Sequence, residues 1–247
     1  MTIESDDDLR GLRRAGRVVA LAIGAMKVAL EPGMTTAELD EVGAGVYERH
    51  GARSAPQLVY GFPGVNLISV NDEAVHGVPG GRVIEGGDLV KIDVTAEVGG
   101  YVADAAVTVA LPRGPRVHEE LRDCAELAFA RAASVARAGR PVNKIGRVVE
   151  TTVRRRGFAV LAGLGGHGIG KTIHEPPTIP NHFDRRLDSP LTQGLVVTIE
   201  PIIASGSDET VEGPDGWTIR TADGNPAAHY EHTIVVTKGN PIVLTAA

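Results

Sequence analysis

The chain has 247 residues, 43% of them apolar, enough for one sizeable core. No apolar run approaches the ~20 residues of a membrane span, and the acidic start Met1-Thr-Ile-Glu-Ser-Asp-Asp-Asp8 is unlike a signal peptide. Twenty-five basic against 31 acidic side chains give a net charge of −6, which argues against DNA or RNA as partner, and the lone Cys124 excludes an intrachain disulfide and suits a reducing cytoplasm.

In chain order, a first helix is expected over about 7–30. Thr35 and Glu38 form a capping box that opens a second, and Gly51 ends it. The segment Gly87 to Asp93 reads as a strand ending in an acid. Gly99-Gly100 then turns the chain back as a two-residue hairpin. That register sets Thr95 opposite Asp104. Ile92, Val94, Ala96 and Val98 share one side with Tyr101, Ala103, Ala105 and Val107, an apolar side made for helices. Asp93, Thr95, Asp104 and Thr108 share the other, where two ionised acids repel unless one is protonated or a cation lies between them.

Two more helices follow, over about 117–138 and 142–156, the latter stopped by Gly157. Gly157 lies 106 residues after Gly51, and the same offset pairs Leu39 with Ile145 and Val42 with Val148. The strand Gly194 to Glu200 resembles Gly87 to Asp93, and a returning strand carries Glu231 as the first hairpin carries Asp104. The expectation is one α+β domain of two duplicated halves, about 1–112 and 113–247. A pseudo-twofold would put helices on one face of a shared curved antiparallel sheet and bring Asp93, Asp104, Glu200 and Glu231 together. Four clustered carboxylates require divalent cations.

His167 adds an imidazole from Gly165-Gly-His-Gly168, where the glycines let it approach a ligand from a tight turn. His76 and His174 occupy similar settings, one in each half, as a pair facing across the pseudo-twofold. His50, His118 and His182 read as surface residues, and alternation turns His232 away from the acids. Four carboxylates and an imidazole form a hard donor set suited to Mn, Fe(II), Co or Mg, with enough oxygens to bridge two ions for hydrolysis. The chain has no P-loop, dinucleotide fingerprint or Gly-x-Ser-x-Gly elbow.

At these residues the chain resembles type I methionine aminopeptidases, in their short bacterial form, and so the pita-bread fold. The resemblance runs through Asn71 to Pro79, Lys91-Ile-Asp93, Asp104-Ala-Ala, Gly166-His-Gly-Ile-Gly170, Thr198-Ile-Glu-Pro201 and Tyr230-Glu-His-Thr233, nearly the whole chain. It implies a dinuclear site: Asp93 on one ion, His167 and Glu200 on the other, Asp104 and Glu231 bridging. It further implies Glu200 as proton shuttle, His174 stabilising the oxygen of the tetrahedral intermediate, and His76 bonded to the scissile amide. The substrate amine would bind on the Asp93 side. The partners implied are N-termini of peptides and nascent polypeptides, met in the cytoplasm by a monomer.

The chain departs from the family where the first side chain binds. Alignment gives Val59, Leu67 and Ile173 at positions commonly tyrosine, cysteine and an aromatic, while Phe62 and Trp217 keep aromatic walls. His229 replaces the usual glutamine two residues before Glu231, and Ala103 the glycine before Asp104. The leading expectation is removal of N-terminal methionine. The alternatives are a pita-bread aminopeptidase of altered first-residue specificity and a non-catalytic binding paralogue, the latter disfavoured because all five metal ligands are kept.

Overall fold

The structure is a computed structural model that describes residues 1–246. In chain order its helices are α1 (Asp6–Ala29), α2 (Thr36–His50), α3 (Ala55–Tyr60), α4 (Arg116–Val135) and α5 (Asn143–Arg155). The first-half strands are β1 (Arg53–Ser54), β2 (Leu67–Val70), β3 (Glu73–Val75), β4 (Leu89–Val98) and β5 (Tyr101–Ala110). Beyond α5 run β6 (Ala159–Val160), β7 (Gly165–Gly168), β8 (Glu175–Pro180), β9 (Val196–Ile199) and β10 (Ile202–Ala204). The last are β11 (Thr210–Glu212), β12 (Ile219–Thr221), β13 (Ala227–His229), β14 (Glu231–Val235) and β15 (Ile242–Val243).

The main sheet is antiparallel, ordered β1-β4-β5-β14-β9-β7-β8. Its backbone follows from local chemistry. Gly99 and Gly100 take φ of 59° and 83°, the left-handed pair a two-residue turn needs, and set Thr95 opposite Asp104. One face of β4 and β5 buries Ile92, Val94, Ala96, Ala103 and Ala105 with Val18, Val19, Ala22 and Met26 of α1 and Leu39 of α2. Burying each large aliphatic here contributes about 2 kcal/mol. The second half covers its part of the sheet with α4 and α5, whose Leu121, Phe129, Ile145 and Val149 pack on Val197, Ile199 and Ile234. The sheet is thus helix-covered on one face, and its other face is free to carry polar side chains.

Two expectations need adjustment, and one element was not foreseen. The fourth helix stops at Val135, short of 138, because Arg137 and Ala138 leave it to pair with Thr237. The second acidic pair is no hairpin: β9 and β14 lie side by side, but residues 201–230 between them build β10 to β13. Those strands form two small sheets, β13-β10-β6 and β11-β12-β3. The unforeseen element is α3, where Ser54 caps, Pro56 sits in the first turn and left-handed Gly61 stops the helix.

Candidate active site

The polar face of the sheet gathers the acids by register. Asp93 on β4 faces Ala106 of β5, Asp104 lies two residues before Ala106, and Glu231 on β14 faces Ala106 from the other side. Glu200 follows β9 directly, opposite the start of β14. Threonines on the same face hold them. Thr95 donates to Asp104 at 2.9 Å, and Thr198 donates to Glu200 Oε1 at 2.9 Å. Thr233 locks β14 to β5, its hydroxyl accepting from the Asp104 N–H at 2.9 Å and donating to the Asp104 carbonyl at 2.8 Å.

His167 comes from β7, so its glycines serve a strand and not the tight turn expected of them. A Cβ at Gly166 would lie 2.5 Å from the Thr198 carbonyl, and one at Gly168 2.2 Å from that of Pro176. Neighbouring strands leave room for backbone only. The His167 N–H donates to Thr198 Oγ1 at 3.0 Å. Its ring Nδ1 meets the Gly168 carbonyl at 2.9 Å, which leaves Nε2 aimed at Glu200 Oε1, 3.5 Å away.

Burial dominates the electrostatics. It pushes the carboxyl of Asp104 up to about 6 and that of Glu200 up to about 7. Asp93 and Glu231 are held well above the ordinary carboxylate range by burial first and then by the neighbouring acids. Burial also drives His174 down to about 4, the positive potential of His167 and His76 adding to it.

The loop around His76 is equally determined. Lys91, fully buried, donates to the carbonyls of Asn71 at 2.7 Å and Leu89 at 3.2 Å. Asn71 in turn accepts from the Leu89 N–H at 2.9 Å. Gly77 packs so tightly on β2 that a Cβ would sit 2.1 Å from the Ile68 carbonyl. His76 itself takes a left-handed φ of 59°, a region that His enters more readily than most residues other than Gly.

These groups line one cavity of about 260 Å³. Asp93, Asp104, His167, Glu200, His229 and Glu231 lie round it with His76 and His174. Apolar walls come from Phe62, Leu67, Ile173 and Trp217, and the Phe62 and Trp217 rings meet edge-on at 5.3 Å. The His167 and His174 rings are 4.1 Å apart.

Two sequence expectations are corrected, and one further residue joins the site. Val59 is not part of this wall: it is 48% exposed on the outer side of α3, whereas Pro56 and Tyr60, four residues apart on one helical face, line the cavity. Tyr60 bonds its hydroxyl to His174 Nδ1. The missed helix explains the error, since without it the register of residues 55–60 is undetermined. His118 is no surface residue, for its ring is buried on α4 with Nδ1 on the Gly87 carbonyl at 2.9 Å. The further residue is His229, which the sequence marks only as standing where the family commonly has glutamine. It is fully buried, with Nε2 at 3.5 Å from Glu231 Oε2 and 3.8 Å from Glu200 Oε2. Its spacing of two from Glu231 was the available signal, because period-two residues share a face.

The donors fit divalent ions. Asp93, His229 and Glu231 offer ligand atoms within 4.8 Å of one another, as do Asp104, His167 and Glu231. Buried atoms Asp93 Oδ1, Glu231 Oε1 and both ring nitrogens of His229 lack any hydrogen-bond partner. Unpaired buried polar atoms cost about 1–3 kcal/mol each, and cations shared among them remove that cost. Oxygen-rich acids with imidazole beneath an apolar-walled cavity are the equipment of a metal-dependent hydrolase.

Residues 10–238 match Metallopeptidase family M24, and the chain belongs to that family. It is 44% identical over 247 residues to methionine aminopeptidase 2 of Bacillus subtilis (strain 168), covering 99% of each chain. A methionine aminopeptidase of Staphylococcus epidermidis is 38% identical, over 99% of this chain and 98% of its own. The crystal structure of a methionine aminopeptidase from Thermotoga maritima superposes with a TM-score of 0.96 at 30% identity, each chain fully covered. The pita-bread fold is therefore that of this protein, and no described helix is long and apolar enough to cross a membrane.

Proposed function

We propose that the protein is a metal-dependent aminopeptidase that removes N-terminal methionine from peptides and nascent polypeptides in the cytoplasm. The observation that carries this reading is the convergence of four acids and His167 beneath a cavity walled by Phe62, Leu67, Ile173 and Trp217. The names of relatives matching along the full chain support it, and the lone buried Cys124 suits a reducing compartment.

Asp93, Asp104, His167, Glu200 and Glu231 would hold two divalent ions such as Co, Mn or Fe(II). Ions bound there supply Lewis-acid polarisation and a nucleophile at neutral pH. Glu200, oriented by the Thr198 hydroxyl, takes a proton from the attacking water and returns it to the leaving amine. With the Tyr60 hydroxyl donating to Nδ1 of His174, Nε2 carries the proton and donates to the carbonyl oxygen as charge develops on it. His76, open to the cavity, bonds the scissile amide. The aromatic and aliphatic walls take the first side chain, for which a flexible thioether is well adapted.

The test is release of free amino acid from Met-Ala-Ser against Leu-led and Pro-led peptides, with metal-free protein and with Mn, Co, Fe or Zn restored. Metal-dependent release favouring Met is expected. A preference for a proline or charged first residue would overturn the assignment. The branched Leu67 and Ile173 support a second reading in which methionine is favoured only weakly over leucine, and the same assay measures that ratio.

A further inference from the structure

We infer that His229 is a sixth protein ligand of the metal centre, bound to the ion on the Asp93–Glu231 side. The inference rests on the proposed metal-dependent reading. It begins with a buried imidazole that has nothing to do in the protein as folded: His229 is 2% exposed, and neither ring nitrogen has a hydrogen-bond partner. Its closest carboxylates, Glu231 at 3.5 Å and Glu200 at 3.8 Å, are too far for good hydrogen bonds.

The placement of the ring is not incidental. Thr108 clamps the backbone of His229 from β5, its hydroxyl accepting from the His229 N–H at 2.9 Å and donating to the His229 carbonyl at 2.7 Å. On the other edge β13 pairs with β10, setting His229 opposite Ile202. The main chain is thus fixed on both sides. The same cavity holds two further unpartnered buried atoms, Asp93 Oδ1 and Glu231 Oε1. Ligand atoms of Asp93, His229 and Glu231 fall within 4.8 Å of one another, as do those of Asp104, His167 and Glu231. Unpartnered buried ligand atoms on three residues, gathered round one cavity, fit a shared cation.

The chemical consequence is a different balance of ligands. Without His229, the Asp93 side would be held by carboxylate oxygens alone, a set suited to Mn and Mg. Adding an imidazole nitrogen raises affinity most for Co, Ni and Zn. Each side of the centre then has one imidazole, His229 opposite His167, with Glu231 common to both.

The experiment compares the full-length protein with His229→Gln, which keeps a neutral polar side chain of similar reach, and with His167→Ala. Each is stripped of metal, checked for fold by circular dichroism and titrated with Co(II) alone. Paramagnetic proton NMR of the loaded proteins counts coordinating imidazoles, because each ligand ring contributes a far-shifted exchangeable N–H signal. Two such signals are expected in the wild type, one in each variant, and a different one in each. Calorimetry should show weaker Co(II) binding at one site of His229→Gln by at least about tenfold, with Mn(II) binding changed less. One signal in the wild type, retained in His229→Gln, overturns the inference, even if affinity falls. A wild type that binds no divalent ion overturns the metal-dependent reading itself. Should His229→Gln misfold, His229→Asn gives the same count.

Discussion

Asp93 and Glu231 face the same residue from opposite strands: both are register partners of Ala106 on β5, one across β4 and the other across β14. The two acids therefore stand on either side of a methyl group, with Asp104 two residues along. A small side chain at 106 leaves the space between them open for ions. Ala106→Leu should fill that space, displacing both carboxylates. Expected are loss of divalent-metal binding by calorimetry and a drop in turnover of at least a hundredfold. Overpacking should lower stability by only about 1–3 kcal/mol. Normal metal binding in a folded Ala106→Leu protein contradicts the placement.

Metal binding should be strongly pH-dependent. Burial holds the carboxyl of Asp104 up to about 6 and that of Glu200 up to about 7. Because these values are raised, protonation favours the metal-free fold at low pH, and that advantage is lost as pH rises through about 7. Ions must displace those protons, so Mn(II) affinity should rise roughly tenfold per pH unit for each proton released between pH 6 and 7.5. Calorimetry in buffers of different ionisation enthalpy counts the protons. Affinity independent of pH, with none released, is the contrary result.

Tyr60 and His174 should act on the chemical step. His174→Ala removes a donor to the developing oxyanion, and turnover should fall roughly 10²–10³-fold with KM changed little. Tyr60→Phe removes only the hydroxyl bonded to Nδ1, so turnover should fall less, again with KM nearly constant. A raised KM at unchanged turnover assigns both residues to ground-state binding instead.

The legibility of this site in the sequence was uneven for a physical reason. Strand alternation and a two-glycine turn fix faces with period two, so Thr95 opposite Asp104 and the apolar side under α1 are legible in the residues alone. The capping box at Thr35 and Glu38 was equally local, and the structure forms it. What escaped depended on distant chain. Residues 201–230 leave the main sheet for two smaller ones, a path fixed by pairing with β6 and β3 far along the chain. Tyr60 was missed because one short helix sets which of residues 55–60 faces inward. The burial of His118 against the Gly87 carbonyl depends on how α4 docks, which its charged neighbours do not announce.

Specificity should respond to the aliphatic wall. Ile173 is 5% exposed and lines the cavity with Leu67, Phe62 and Trp217. A misfit of one methylene in such a pocket is worth about 1–3 kcal/mol. Ile173→Phe should therefore change the Met-to-Leu ratio of kcat/KM about tenfold or more, with metal affinity unchanged. A ratio unmoved by the substitution removes Ile173 from the first-residue pocket.

The central claim is that one buried acid cluster both holds the ions and sustains peptide hydrolysis, and Asp104→Asn tests it most directly. Asp104 is 5% exposed, held by Thr95 and Thr233, and close in size to asparagine, so the fold should persist. Metal stoichiometry and methionine release from Met-Ala-Ser are measured on the same preparation, beside the wild type. The account predicts a folded protein that has lost at least one ion, no longer gains thermal stability on adding Mn(II) as the wild type does, and releases no methionine. A folded Asp104→Asn protein with near-normal metal content and turnover would contradict it.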